Sequence, residues 1–143
     1  MLPPFTISIT LEPHRLVQPE KPTVLIVDDH ADLRDAMAVL LQHNGYAVAD
    51  AANGVEALAY LRAEKPAAAI ILDLVMPEMD GWEFLAAWRT DATYKPIPVL
   101  VLTGVPLAKL RQSELQGTMI LTKPFTFDEL MKAVRTVMVR RAS

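Results

Sequence analysis

Short unbroken apolar runs alternate along this chain with stretches whose apolar residues recur every three or four positions. The runs fall at 24–27, 69–72, 98–102 and 118–121, with a weaker fifth at 46–49. Runs of this length, bounded by polar residues, suit strands buried on both faces of a parallel sheet. The stretches between them predict helices. Residues 30–43 place Leu33, Met37, Leu40 and Leu41 on one face, and residues 53–64 do so with Val55, Leu58 and Leu61. Residues 80–89 carry Phe84, Leu85 and Trp88, and 126–141 carry Leu130, Val134, Val137 and Met138. A short helix is expected over 106–115, with Pro106 in its first turn. Asn53 with Glu56, and Thr126 with Glu129, have the spacing of capping boxes. Strand and helix thus alternate five times, which implies an α/β fold with right-handed crossovers and helices on both sheet faces.

Residues 1–22 break this rhythm. They hold five of the eleven prolines, Pro3, Pro4, Pro13, Pro19 and Pro22. Proline fixes φ and removes a backbone donor, so an extended leader is expected there and one domain over 23–141. The rest of the composition narrows the function classes. A net charge of −3 gives no basic footprint for nucleic acid. There is no cysteine, hence no disulfide framework and no thiolate metal site, which fits a cytoplasmic protein. No apolar run is long enough to span a bilayer.

Polar residues gather where the strands should end, the edge at which open α/β sheets carry their sites. Asp28 and Asp29 follow the first run, Asp73 the third, Thr103 the fourth and Lys123 the fifth. Clustered carboxylates repel one another, and a divalent cation relieves that conflict. Oxygen ligands suit Mg²⁺, which is commonly held by one or two carboxylates together with phosphate. A lysine and a hydroxyl opposite would bind phosphoryl oxygens. Metal, nucleophilic carboxylate, cation and hydroxyl together are the parts for moving a phosphoryl group onto an aspartate. Singly, each residue has a plainer reading. Asp28 and Asp29 precede a helix and could be caps, Asp73 could open a turn, Thr103 could end a strand, and exposed lysines are common. The conjunction at one sheet edge carries the inference.

Residues 23–141 resemble the receiver domain of bacterial two-component response regulators. The resemblance rests on Val-Asp-Asp at 27–29 followed by Arg34, and on Asn-Gly-Val-Glu-Ala-Leu at 53–58. It rests further on Asp-Leu-Val-Met-Pro-Glu-Met-Asp-Gly at 73–81, Leu-Thr-Gly at 102–104 and Lys-Pro-Phe at 123–125. It implies a flavodoxin-like (βα)5 fold with strand order 2-1-3-4-5. It also implies that Asp73 accepts a phosphoryl group from a sensor histidine kinase or a phosphotransfer protein. Mg²⁺ would be held by Asp29 directly, Asp28 mainly through water, Asp73, and the backbone carbonyl of Val75. Thr103 would turn toward the phosphoryl group, Lys123 would pair with it, and the Lys123–Pro124 bond would be cis.

Three departures from the family pattern stand out. Ile120 occupies the position of an aromatic residue that usually moves with the threonine. The segment 104–122 is short, which implies a trimmed fourth helix and an unusual docking face. Val75 replaces the polar residue that often positions hydrolytic water, so slow self-dephosphorylation is expected. The chain is read as a stand-alone switch, not an enzyme, that acts on an unknown downstream protein. Neither nucleic acid nor membrane is expected as a partner, and the leader or the altered fourth-helix face offers a surface for a homodimer. Alternatives are a phosphorylation-independent binding module and a receiver fragment of a larger regulator. Two further rivals fit less well. An aspartyl-phosphate phosphatase would need an acid where Val75 stands, and a flavin carrier would need a phosphate loop that Asp28, Asp29 and Asp32 would repel.

Overall fold

The computed structural model describes residues 21–76, 78–106 and 109–142. The expected leader therefore lies outside the described residues, apart from Lys21 and Pro22. Five strands, β1 (Thr23–Val27), β2 (Ala47–Ala51), β3 (Ala69–Asp73), β4 (Val99–Thr103) and β5 (Met119–Thr122), form one sheet. All pairings are parallel, and the order is β2-β1-β3-β4-β5. Four α-helices connect or follow them: α1 (Ala31–His43), α2 (Gly54–Arg62), α3 (Gly81–Thr90) and α4 (Phe127–Ala142). This is the flavodoxin-like arrangement expected from the sequence.

The unbroken apolar runs are explained by two cores, one on each face of the sheet. Leu25, Val27, Ile70, Leu72, Val99 and Val101 point toward α2 and α3, where Leu58, Leu61, Phe84, Leu85 and Trp88 meet them. The alternate residues Val24, Ile26, Ala69, Ile71, Leu100 and Leu102 point the other way, onto Met37, Leu41, Leu130, Val134 and Val137 of α1 and α4. Period-two alternation with both faces covered gives continuous hydrophobicity along each central strand. Edge strands β2 and β5 are only partly buried.

Helices α2, α3 and α4 start where their caps direct. Asp80 and Glu83 form a reciprocal capping box at α3, and Thr126 and Glu129 form another at α4. At α2 the Asn53 side chain accepts from the Glu56 N–H at 2.9 Å. The Glu56 carboxylate reaches past the cap to the Ala52 N–H instead. Two expectations need correction. Val55 is half exposed, because the buried stripe of α2 runs through Gly54, Ala57, Leu58 and Leu61. The helix expected over 106–115 is not formed among its described residues, where Gln112–Leu115 makes a 3₁₀ helix. The buried anchors of that stretch, Leu110 and Leu115, are five residues apart. That spacing does not build a helix stripe, which needs steps of three or four.

Candidate functional site

Strand register brings the polar residues together. Val27 pairs with Leu72, Asp73 with Leu102, and Thr103 with Thr122. Asp73 and Thr103 are the last residues of β3 and β4, while Asp28 and Lys123 directly follow β1 and β5. The Lys123 N–H donates to the Thr103 carbonyl at 2.8 Å, which extends the ladder to the lysine. The Lys123–Pro124 peptide is cis, as the resemblance implied. All the side chains picked from the sequence therefore stand at one edge of the sheet.

At the centre is Asp73, only 4% exposed. One carboxylate oxygen accepts the Val75 N–H at 3.1 Å, and the other lies 3.5 Å from the Lys123 ammonium. Burial pushes its carboxyl above the ordinary carboxylate range, and the nearby Asp28 charge adds to that push. The Val75 N–H and the Lys123 charge act in the opposite direction. Thr103 is 1% exposed, and its hydroxyl oxygen accepts the Val105 N–H at 3.0 Å. The Val75 backbone thus borders the pocket, and the residue is 68% exposed at the rim.

Asp28 and Asp29 are not helix caps. The N-cap of α1 is His30, whose side chain makes no capping bond. Asp28 is 1% exposed; its Oδ1 accepts the His30 N–H at 2.8 Å, while its Oδ2 is buried with no hydrogen-bond partner. Asp29 lies at the more open side, 31% exposed. Donor atoms from Asp28, Asp29, His30 and Asp73 all lie within 4.8 Å of one another. An unpartnered buried carboxylate oxygen is costly, and three acids so close repel one another. A cation at that point relieves both, so the residues fit a divalent ion. Asp28, Asp29 and Asp73 would hold it, and when bound it would supply positive charge for phosphoryl oxygens.

Neighbouring loops hold this edge in shape. Arg34 donates to the Asp28 carbonyl at 2.7 Å and pairs with Asp50 at 3.2 Å. The Asn53 amide donates to Glu78 at 2.9 Å, tying the start of α2 to the loop after Asp73. Two glycines permit close approach. A Cβ on Gly81 would lie 2.6 Å from the Asp73 carbonyl oxygen, and one on Gly54 would lie 2.6 Å from the Met79 side chain. His30, Glu78 and these contacts were not singled out from sequence. His30 adjoins the acid pair, which was a usable signal, whereas the Asn53–Glu78 contact spans 25 residues and left none.

Residues 24–135 match the family model of the response regulator receiver domain. The chain belongs to that family. This receiver domain is 35% identical over 122 residues to response regulator Rre1 of Synechocystis, a match covering 83% of this chain and 52% of that protein. It is also 35% identical to response regulator MprA of Mycobacterium avium, covering 82% of this chain and 51% of the relative. The chain thus spans about half the length of the curated relatives it matches. Among solved structures, Vibrio cholerae chemotaxis protein CheY4 is 36% identical with a TM-score of 0.75, covering 82% of this chain and 99% of that one. The receiver domain of Francisella response regulator 1452 is 29% identical with a TM-score of 0.75, covering 84% and 98%. These matches make the chain a two-component receiver domain.

Proposed function

We propose that this receiver domain is a phosphorelay switch in which Asp73 accepts a phosphoryl group from a phosphohistidine, with Mg²⁺ in the acidic pocket. The donor is a sensor histidine kinase or a phosphotransfer protein. The observation that carries this is the pairing of a buried nucleophilic carboxylate with the Lys123 ammonium on one side and an unpartnered acid oxygen on the other. In the transfer, an Asp73 oxygen forms the new bond to phosphorus. The phosphorus–nitrogen bond breaks, and its electron pair returns to the donor imidazole. Lys123 then pairs with a phosphoryl oxygen, and the Thr103 hydroxyl donates to another. Asp28, Asp29, Asp73 and the Val75 carbonyl would be the protein ligands for Mg²⁺. The domain modifies only itself, so it is a switch rather than an enzyme with an external substrate. Its output is contact with a downstream protein, and its place is the cytoplasm. No described helix is long and apolar enough to cross a membrane.

Switching requires contacts that differ between the two states. With a small-molecule phosphoryl mimic at Asp73, amide NMR shifts of Thr103, Val105 and Ile120 should move. Lys123→Ala should still take up a phosphoryl group slowly, yet leave those shifts near their resting values. A full response in Lys123→Ala would remove the lysine from the switch. One observation favours a second reading, a binding module indifferent to phosphorylation. Ile120, at the position where the family usually carries an aromatic switch residue, stands partly buried against the core. Under that reading the mimic leaves partner affinity unchanged.

A further inference from the structure

His30 is the residue of this pocket that the proposed switch does not use. Its side chain forms no cap on α1. Instead its Nδ1 lies 3.1 Å from Asp28 Oδ1 and 3.3 Å from Asp29 Oδ1. With Asp73 these residues offer four donor atoms inside a 4.8 Å span. Metal–nitrogen and metal–oxygen bonds are roughly 2.0–2.2 Å long, so the donor atoms farthest apart need to draw in only slightly for one ion to reach all four. A second, independent observation points to a ligand at this spot: Asp28 is 1% exposed, and its Oδ2 has no partner.

We infer that His30 supplies a nitrogen ligand to the ion in this pocket and sets its metal preference, favouring borderline first-row ions such as Co²⁺ over Mg²⁺. The inference rests on the reading of Asp28, Asp29 and Asp73 as a cation pocket. Three carboxylates alone form an all-oxygen site, which suits Mg²⁺ with its retained waters. An imidazole nitrogen adds little for Mg²⁺ but much for the later first-row ions. The ring can take this role without disturbing the fold, because it is 67% exposed. The plainer account, a histidine that merely pairs with two carboxylates, predicts no nitrogen in the metal shell.

The test uses the whole chain and His30→Phe, which keeps a ring and removes the nitrogens. Co²⁺ and Mg²⁺ are titrated by calorimetry, and bound Mn²⁺ is examined by pulsed electron paramagnetic resonance for ¹⁴N coupling. Circular dichroism confirms that the variant folds. The expected result is a nitrogen coupling in the natural protein that is lost in His30→Phe. Co²⁺ affinity should fall on the order of tenfold, the low end of what losing a supporting group costs a metal site, with Mg²⁺ affinity nearly unchanged. Binding of both ions with no nitrogen coupling, and equal Co²⁺-to-Mg²⁺ preference in the two proteins, would overturn the role of His30 and leave the cation pocket standing. If none of the ions binds the natural protein, the pocket reading and this inference fall together.

Discussion

Asp73 must be ionised to act as a nucleophile, yet it sits where ionisation is disfavoured. Burial, the first cause, raises its pKa despite the Val75 N–H and Lys123. For a carboxyl raised in the folded state, the contribution to stability is full below the unfolded pKa. It is lost as pH rises through the folded one. Asp73→Asn should therefore have a higher melting temperature than the natural protein at neutral pH. The gap should shrink as pH falls from the raised folded-state pKa toward the ordinary carboxylate value of roughly 4, and melting curves between about pH 3 and 7 check this. Gly81 is the second sensitive position. Its missing Cβ makes room for the Asp73 carbonyl and Leu74 Cα, both 2.6 Å from where a Cβ would stand. Gly81→Ala should cost about 1–3 kcal/mol, the usual scale of overpacking, and should displace the acceptor loop, read as lower denaturant midpoint and slower phosphoryl uptake. Val75 is exposed at the pocket rim and brings no polar group to water there. Val75→Asn should shorten the phosphoryl lifetime; an unchanged lifetime would remove valine as a brake.

At the scale of elements, the connection between β4 and β5 departs furthest from the regular pattern. A 3₁₀ helix takes the place of a full helix, and side chains of α3 hold it. The Arg89 guanidinium donates to the carbonyls of Glu114 and Gln116, each at 2.8 Å, and lies over the Trp88 ring. Arg111 lies over the Trp82 ring at 4.8 Å. Hydrogen bonds from a charged donor contribute about 1.5–3 kcal/mol; both bonds here come from the Arg89 Nη2, and a lysine lacks the planar group that lies over Trp88. Arg89→Lys should lower stability by about 1–2 kcal/mol in urea unfolding, with the loss centred on this connection in amide exchange. The sequence showed that the segment was short and that Pro106 stood early in it. It did not show the 3₁₀ form, because that depends on where Leu110 and Leu115 find the core and on an arginine from another element. Val55 was misplaced for a related reason. It lies one step away from a stripe completed by Gly54 and Ala57, small residues that weigh little in a hydrophobic pattern.

Across the whole molecule, the five strands and the placement of Asp28, Asp29, Asp73, Thr103 and Lys123 were legible because each depends on local sequence plus one rule of topology. Four of the five apolar runs end beside one of these polar residues, and parallel order puts all the ends on one edge. The tie between Asn53 and Glu78 was not legible in the same way, because it depends on how two loops 25 residues apart meet above the sheet. The result is a two-core scaffold whose chemistry is gathered at the strand ends and the loops that follow them. The account stands on Asp73 being the phosphoryl acceptor of that edge. The most direct test is intact-mass analysis after incubation with a small-molecule phosphodonor, with and without Mg²⁺, beside Asp73→Asn. A single Mg²⁺-dependent phosphoryl adduct, absent in the variant, is the expected result. No adduct on the natural protein, or an equal adduct on Asp73→Asn, would contradict it.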